Sequence, residues 1–261
     1  MSGAVEIRHA ATVVVTRGCG ADTEVLLLRR GETAGFMAGM YVYPGGRVDA
    51  ADIEVAGGDL DLAARWAAVR ECFEEAGLLL ATDSDGRHAT PAQCEALRAS
   101  GATFAEALAL LELTPALDAL RPFARWVTPA IERRRFDTRF YLAAHPDGQE
   151  AAADGFEMVE HRWRRPADAL IEYAAAAIVL SPPTFYFLAD LAELLEQEAE
   201  IATWADAQPR YPILPRLEVG EAPRLLLPGD AEYPSDAPVP GPTRMLLVQG
   251  RWERQTLRAA T

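Results

Sequence analysis

The stretch from Asp61 to Ala76 constrains this chain more than any other part of it. Leu62, Trp66, Val69, Phe73 and Ala76 recur at steps of three and four residues, the spacing of one helical face, and Gly77 follows as a residue that ends helices in the left-handed conformation. The same segment carries Glu71, Glu74 and Glu75, which fall at i, i+3 and i+4 and so share a face. Like charges at that spacing destabilise an isolated helix. A hard divalent cation such as Mg2+ or Mn2+, which prefers carboxylate oxygens, resolves the repulsion. Val69 and Phe73 each stand two positions from Glu71, roughly 200° away around the helix, so the acids are expected to point away from the core packing. Arg70 can pair with a neighbouring carboxylate and hold its rotamer. A merely solvated acidic face is the bland alternative, and the surrounding sequence decides between the two.

Strand and helix signals alternate along the rest of the chain. Ala11 to Val15 and Glu24 to Leu28 read as buried strands separated by Gly18-Cys19-Gly20, and they are expected to pair. Gly31 to Gly39 reads as loop, and Tyr41-Val42-Tyr43 as a short strand stopped by Pro44-Gly45-Gly46. Residues 82–121 are rich in Ala and Leu, with turn punctuation at Pro91, Gly101 and Pro115, which predicts two or three short helices as an insertion or cap. Strand character returns at Phe123 to Thr128, Phe136 to Ala143 and Met158 to Trp163, enough for a second sheet layer. Pro166-Ala167-Asp168 opens a short helix, and Pro182-Pro183-Thr184 a longer one through Leu188, Leu191, Leu194 and Leu195. From about residue 204 the chain is Pro-rich and irregular, with strand-like Arg224 to Leu227 and Met245 to Gln249. The expected fold class is α/β: an α/β/α sandwich with a mixed β-sheet between the acid-bearing helix and a helix near Thr184 to Glu196. Residues 1–203 form its main domain, 82–121 a helical insertion, and 204–261 a C-terminal extension packed on the same domain.

Composition narrows the function. With 261 residues, half of them hydrophobic, the chain can bury a substantial core. The 39 acidic against 25 basic residues give a net charge of -14, which argues against a nucleic-acid partner, because phosphate neutralisation needs clustered Lys and Arg. Cys19, Cys72 and Cys94 have no paired spacing, which fits a reducing, cytoplasmic setting. The acidic start Met1-Ser2-Gly3-Ala4-Val5-Glu6 is unlike a signal peptide, Ala259-Ala260-Thr261 is no targeting tripeptide, and no apolar run approaches a membrane span.

Arg70-Glu71-Cys72-Phe73-Glu74-Glu75-Ala76-Gly77-Leu78 resembles the R-E-U-x-E-E-x-G-U half of the Nudix box, and Pro44-Gly45-Gly46 resembles the strand-end glycines that open it. The interval from Gly46 to Arg70 is ten residues longer than the family pattern, so a loop at Arg47 to Gly58 is expanded. The family's first box glutamate would fall on Leu62, and Asp49, Asp52, Glu54, Asp59 or Asp61 would have to take its supporting role. An enlarged loop at this point resembles the coenzyme A diphosphatase branch. So do Leu26-Leu27-Leu28-Arg29-Arg30, Gly39 to Gly46 and Arg134 to Phe140. The coenzyme A signature is kept in part: its arginine would fall on Gly35, and Tyr43 stands where phenylalanine is usual.

The resemblance implies a metal-dependent hydrolase that cleaves the pyrophosphate of a nucleoside diphosphate linked to another group, with coenzyme A or an acyl derivative first. It implies Mg2+ or Mn2+ as cofactor, Glu74 and Glu75 as principal ligands, Glu71 as ligand or organiser of a metal water, the Gly46 carbonyl as a further oxygen, and Arg70 in support. It places a general base in a loop before a Trp-bearing strand, where Glu157 and Glu160 stand; Glu157 is favoured because it precedes the strand. Arg30, Arg135 and Arg139 are the substrate-binding candidates. The run Arg133-Arg134-Arg135 suits bidentate phosphate contacts, and strand alternation would turn Arg139 inward. His9, His88, His145 and His161 lack metal-ligand spacing, and Cys72 reads as inert core. An ADP-ribose or dinucleotide pyrophosphatase, and a non-catalytic Nudix nucleotide sensor, are the rival readings. Homodimerisation is left open.

Overall fold

A computed structural model describes residues 5–35 and 37–257; the residues before Val5 and Ala259-Ala260-Thr261 lie outside them. From the N-terminus the chain forms β1 (Ile7–Arg17), β2 (Glu24–Arg30), β3 (Tyr41–Val42), β4 (Gly45–Arg47), α1 (Ala50–Val55), α2 (Leu60–Ala76), β5 (Ala81–Thr82), α3 (Pro91–Ala99), α4 (Phe104–Leu110) and β6 (Thr114–Pro115). There follow β7 (Arg121–Val127), β8 (Arg135–Ala144), β9 (Met158–Arg164), α5 (Pro166–Ala174), α6 (Pro182–Glu196) and α7 (Ile201–Ala207). The strands β10 (Arg216–Glu218), β11 (Arg224–Leu226), β12 (Arg244–Val248) and β13 (Arg251–Gln255) come last.

Val13, Val14 and Val15 of β1 are all fully buried, as an apolar run must be when both faces of a strand are covered. β1 pairs in parallel with β8 from Ile7↔Arg135 to Thr16↔Ala144, and β7 adds to β8 antiparallel. On its other edge β1 meets β4 at Ala10, Ala11 and Thr12, but meets β2 only at Thr16 and Arg17. The expected pairing of the first two strands is therefore real but short: β2 leaves β1 and continues with β3 and β9 as partners. The sheet splays where they part. The expected second layer from the strands after residue 121 is corrected: β7, β8 and β9 join the same mixed sheet, because β1 and β2 each offer an open edge that they fill.

Alternation along β1 sends Ala11, Val13 and Val15 to one side, against Ala64, Ala67, Ala68 and Cys72 of α2. It sends Val14 to the other side, with Phe123, Phe140, Phe187 and Leu188. Helices α2 and α6 thus cover opposite faces. Each fully buried Leu contributes roughly 1.5–3 kcal/mol before the conformational entropy cost. The Asp59 side chain accepts from Asp61 N–H and Leu62 N–H to cap α2, and Gly77 ends it with φ 71°. Leu62 itself is exposed. The buried face starts at the small Ala63 and Ala64 instead, which let the helix lie close to the sheet.

Two regions differ from the sequence expectation. The expanded loop at Arg47 to Gly58 contains α1, whose start is a reciprocal cap between Asp49 and Asp52. The irregular tail contains α7 and a four-stranded antiparallel sheet, β10-β11-β12-β13. Its Leu225, Leu227, Val239 and Met245 share a core cluster with Val14 and Phe123. Ile213 lies along the β7 edge, accepting from Val127 N–H at 2.8 Å and donating to Arg125 O at 2.7 Å. The insertion has its expected helices, α3 and α4, closed by a β5–β6 ribbon. Among the described residues, no helix is long and apolar enough to cross a membrane.

Candidate active site

A cleft of about 1260 Å³ reaches both faces of the splayed sheet, taking in Glu71, Glu74 and Glu75 from α2 on one side and Phe140 and Trp126 on the other. It also takes in Gly45, Gly46, Arg70, Arg30, Glu157 and the run Arg133 to Arg135. Most of the residues singled out from the sequence are therefore brought to one place.

The Arg70 guanidinium organises the acids. Its Nη1 donates to Glu71 Oε1 at 3.0 Å and to Glu74 Oε2 at 2.8 Å. Its Nη2 donates to Asp52 Oδ2 and to Arg47 O, both at 2.9 Å, and its Nε to Asp52 Oδ1 at 3.2 Å. Of the five acids weighed for the supporting role, Asp52 is thus the one that hydrogen-bonds Arg70, with Asp49 in a longer ion pair at 3.8 Å, and α1 is the device that carries Asp52 there. The spacing of Asp49 and Asp52, a reciprocal helix cap, was the signal that could have singled it out. Glu75 accepts from Gly45 N–H at 2.8 Å. A Cβ on Gly46 would stand 2.4 Å from the Glu71 carboxyl carbon, and one on Gly45 2.3 Å from Ala11 O, so both glycines are needed for β4 to lie between β1 and the acids.

The acids do not simply face outward. Glu74 is half exposed, Glu71 is largely covered and Glu75 is buried. A face opposite Phe73 is free of the apolar core, yet β4 and α1 roof it over. Burial pushes Glu71 up to about 7, with Arg70 opposing and Glu74 adding. Burial also holds Glu75 well above the usual carboxylate range; the Gly45 hydrogen bond opposes this, and Glu71 and Glu157 reinforce it. Among the described residues, no three His, Cys, Asp or Glu side chains converge as a ready metal cage. Even so, the donor set suits a hard divalent cation. Three carboxylates beside Gly45-Gly46 line one cleft, one of them buried and one largely covered, and a cation would offset the negative charge that the Arg70 guanidinium leaves.

Glu157 and Glu160 separate cleanly. Glu157 lines the cleft and pairs with Arg30 Nη2 at 2.5 Å, whereas Glu160 bonds Arg29, Tyr41 and Arg162 outside it. Asp154 accepts from the N–H groups of Phe156, Glu157 and Met158, which fixes the turn that presents Glu157. Arg135 lines the cleft and donates to Thr128 O at 3.1 Å. Arg134 donates to Gly35 O at 3.2 Å, so positive charge reaches the Gly35 position from a different segment. Arg139 does not line the cleft: strand alternation turns it away from Thr138 and Phe140 to the α2 side, where its Nε donates to Asp61 Oδ1 at 2.7 Å. Cys72 is buried, and burial pushes its thiol up, as inert core requires.

A family model described as the NUDT19 Nudix domain matches residues 56–191, from the end of α1 into α6. The chain belongs to the Nudix family. A crystal structure of a Nudix hydrolase from Alicyclobacillus acidocaldarius superposes with a TM-score of 0.67 at 30% identity, covering 80% of this chain and 99% of that one, which bears out the α/β fold class. Putative nudix hydrolase 7 of Caenorhabditis elegans is 34% identical over 187 residues, 72% of this Nudix chain; the match spans 61% of that protein, less than two thirds of its length. The acyl-coenzyme A diphosphatase NUDT19 of Xenopus laevis is 26% identical over 284 residues, 85% of this chain and 74% of that protein. These similarities agree with the resemblance to the coenzyme A diphosphatase branch. Sequence reasoning had no purchase on the cleft residues supplied from beyond the Nudix match, Pro215, Leu217, Leu225 and Trp252.

Proposed function

We propose that this chain hydrolyses the pyrophosphate bond of coenzyme A or an acyl-coenzyme A with the help of Mg2+ or Mn2+. The observation that carries the reading is a single cleft shared by Glu71, Glu74 and Glu75 and by Arg30, Arg133, Arg134 and Arg135. The substrate class comes from the name of the Xenopus laevis relative. Bound by Glu71, Glu74, Glu75 and the Gly46 carbonyl, a divalent cation would polarise the diphosphate and lower the pKa of the attacking water.

The chain's own residues do the rest. Asp52 and Arg47 O hold Arg70, and Arg70 holds Glu71 and Glu74, so the carboxylates sample few orientations. Gly45 N–H fixes Glu75. Glu157 takes the proton of the attacking water. Arg30 donates to Glu157 and so holds the carboxylate where the turn presents it to the cleft. Arg133, Arg134 and Arg135 take the outer phosphates. Residues 1–203 carry this chemistry with 204–261 as their extension, in a reducing cytoplasm where Cys19, Cys72 and Cys94 stay unpaired.

A panel of coenzyme A, acyl-coenzyme A, ADP-ribose and dinucleotides, each with Mg2+ or Mn2+, tests this by the phosphomonoesters released. Cleavage of the coenzyme A species ahead of the others is expected. Turnover of ADP-ribose or a dinucleotide alone would move the assignment to those substrates, and binding without any turnover would make the protein a nucleotide sensor.

A further inference from the structure

The cleft is larger than the acid cluster and the arginines can fill. Away from α2 its wall is apolar: Phe140 and Trp126 come from the main sheet, and Leu217, Leu225 and Trp252 from the C-terminal strands. Those strands are held in place through the β7 edge at Ile213 and through Arg254, which bonds Asp190 and Glu193 of α6. Two polar atoms in this wall stand out. Tyr43 Oη and Trp126 Nε1 are buried and have no hydrogen-bond partner among the described residues, while Tyr43 and Trp126, only 2% and 6% exposed, both line the cleft. Buried donors are normally paired, so two unpaired donors in one apolar cleft call for an acceptor carried by a largely apolar ligand.

We infer that the C-terminal strands and β7 form a subsite for the acyl end of the substrate. The hydrocarbon packs on Leu217, Leu225 and Trp252, and carbonyl oxygens of the arm joining it to the nucleotide accept from Tyr43 Oη and Trp126 Nε1. This rests on the coenzyme A reading for the diphosphate end of the same cleft. It goes beyond that reading because Leu217, Leu225 and Trp252 lie outside the 56–191 family match, which gives the extension a share in setting chain-length preference.

The test uses the full chain and two probes, free coenzyme A and octanoyl-coenzyme A. Hydrolysis is followed with Mg2+, and binding separately by tryptophan fluorescence in EDTA, since Trp126 and Trp252 both lie on the wall. Octanoyl-coenzyme A should be preferred about tenfold in kcat/KM and should quench the fluorescence at correspondingly lower concentration. In Leu217→Ser and Trp252→Ala, with folding checked by thermal unfolding, that preference should shrink toward unity. In Trp126→Phe, which keeps the ring and removes the donor, KM should rise several-fold with kcat little changed. Equal use and equal binding of the two probes by the unmodified protein, or an undiminished preference in both folded variants, would overturn the subsite. Absence of hydrolysis with either probe would sink the diphosphatase reading instead, and the fluorescence titration would still decide the subsite.

Discussion

At Glu75, stability and function pull in opposite directions. Its carboxylate is buried and accepts from Gly45 N–H, and burial makes its charge costly. Glu75→Gln keeps the shape and removes the charge. Turnover should fall by at least about 100-fold, while the melting temperature without added metal stays level or rises. Full activity in this variant would refute the proposed placement of the metal. Gly46→Ala probes the neighbouring contact, since the new methyl would have to displace the Glu71 carboxyl. We expect activity to drop about tenfold or more, with a stability change within about 1 kcal/mol, read by kcat and by urea unfolding. These acids were legible in the sequence because helical spacing alone brings them together. Arg139 was not legible: which way it points depends on the register of β8 against β1, where it stands opposite Ala11, whose side chain packs on the α2 side.

At the scale of elements, α1 turns an expanded loop into part of the site. Asp52 is buried and grips the mostly covered Arg70, so Asp52→Ala would strand a guanidinium among Glu71 and Glu74 and remove one half of the α1 cap. A loss of about 2–3 kcal/mol in denaturant unfolding is expected, together with reduced turnover. An unchanged unfolding midpoint would mean that the pair does not hold α1 to α2. Why α1 was missed is physical: six residues ended by Gly57-Gly58 are too few for a periodic apolar stripe. The same reason hides β10, three residues long, whereas α2, α6 and β1 are long enough to announce themselves and β11 shows as the strand-like run from Arg224 to Leu227. The second-layer error has a different cause. Strand character can be read locally, but which edge a strand fills is settled by what the rest of the sheet leaves open.

For the molecule as a whole, the acid cluster should set how stability depends on pH. Burial raises Glu71 to about 7 and Glu75 well above its usual range, so between roughly pH 4.5 and 7 the folded chain binds more protons than the unfolded one. Stability must then fall as pH rises through that window, by about 3 kcal/mol for Glu71 alone. Asp137 and Asp230 act oppositely. Burial raises them, but Arg125 and Arg244 lower them further, so their contribution is lost as pH falls below about 4. Without added metal, the melting temperature should therefore peak near pH 5 or slightly below. Saturating Mg2+ or Mn2+ binds the deprotonated acids, so its stabilising increment should grow with pH up to about 7 and then level off, which moves the peak toward neutrality. Repulsion from the net charge of -14 also weakens the fold as pH rises, and Glu71→Gln separates the two effects. It removes the Glu71 part of the decline and leaves the general repulsion nearly intact. Equal loss of stability between about pH 5 and 8 in the variant and the parent would assign the decline to overall charge, and the burial of the α2 acids would then not be the strain that the proposed cation relieves.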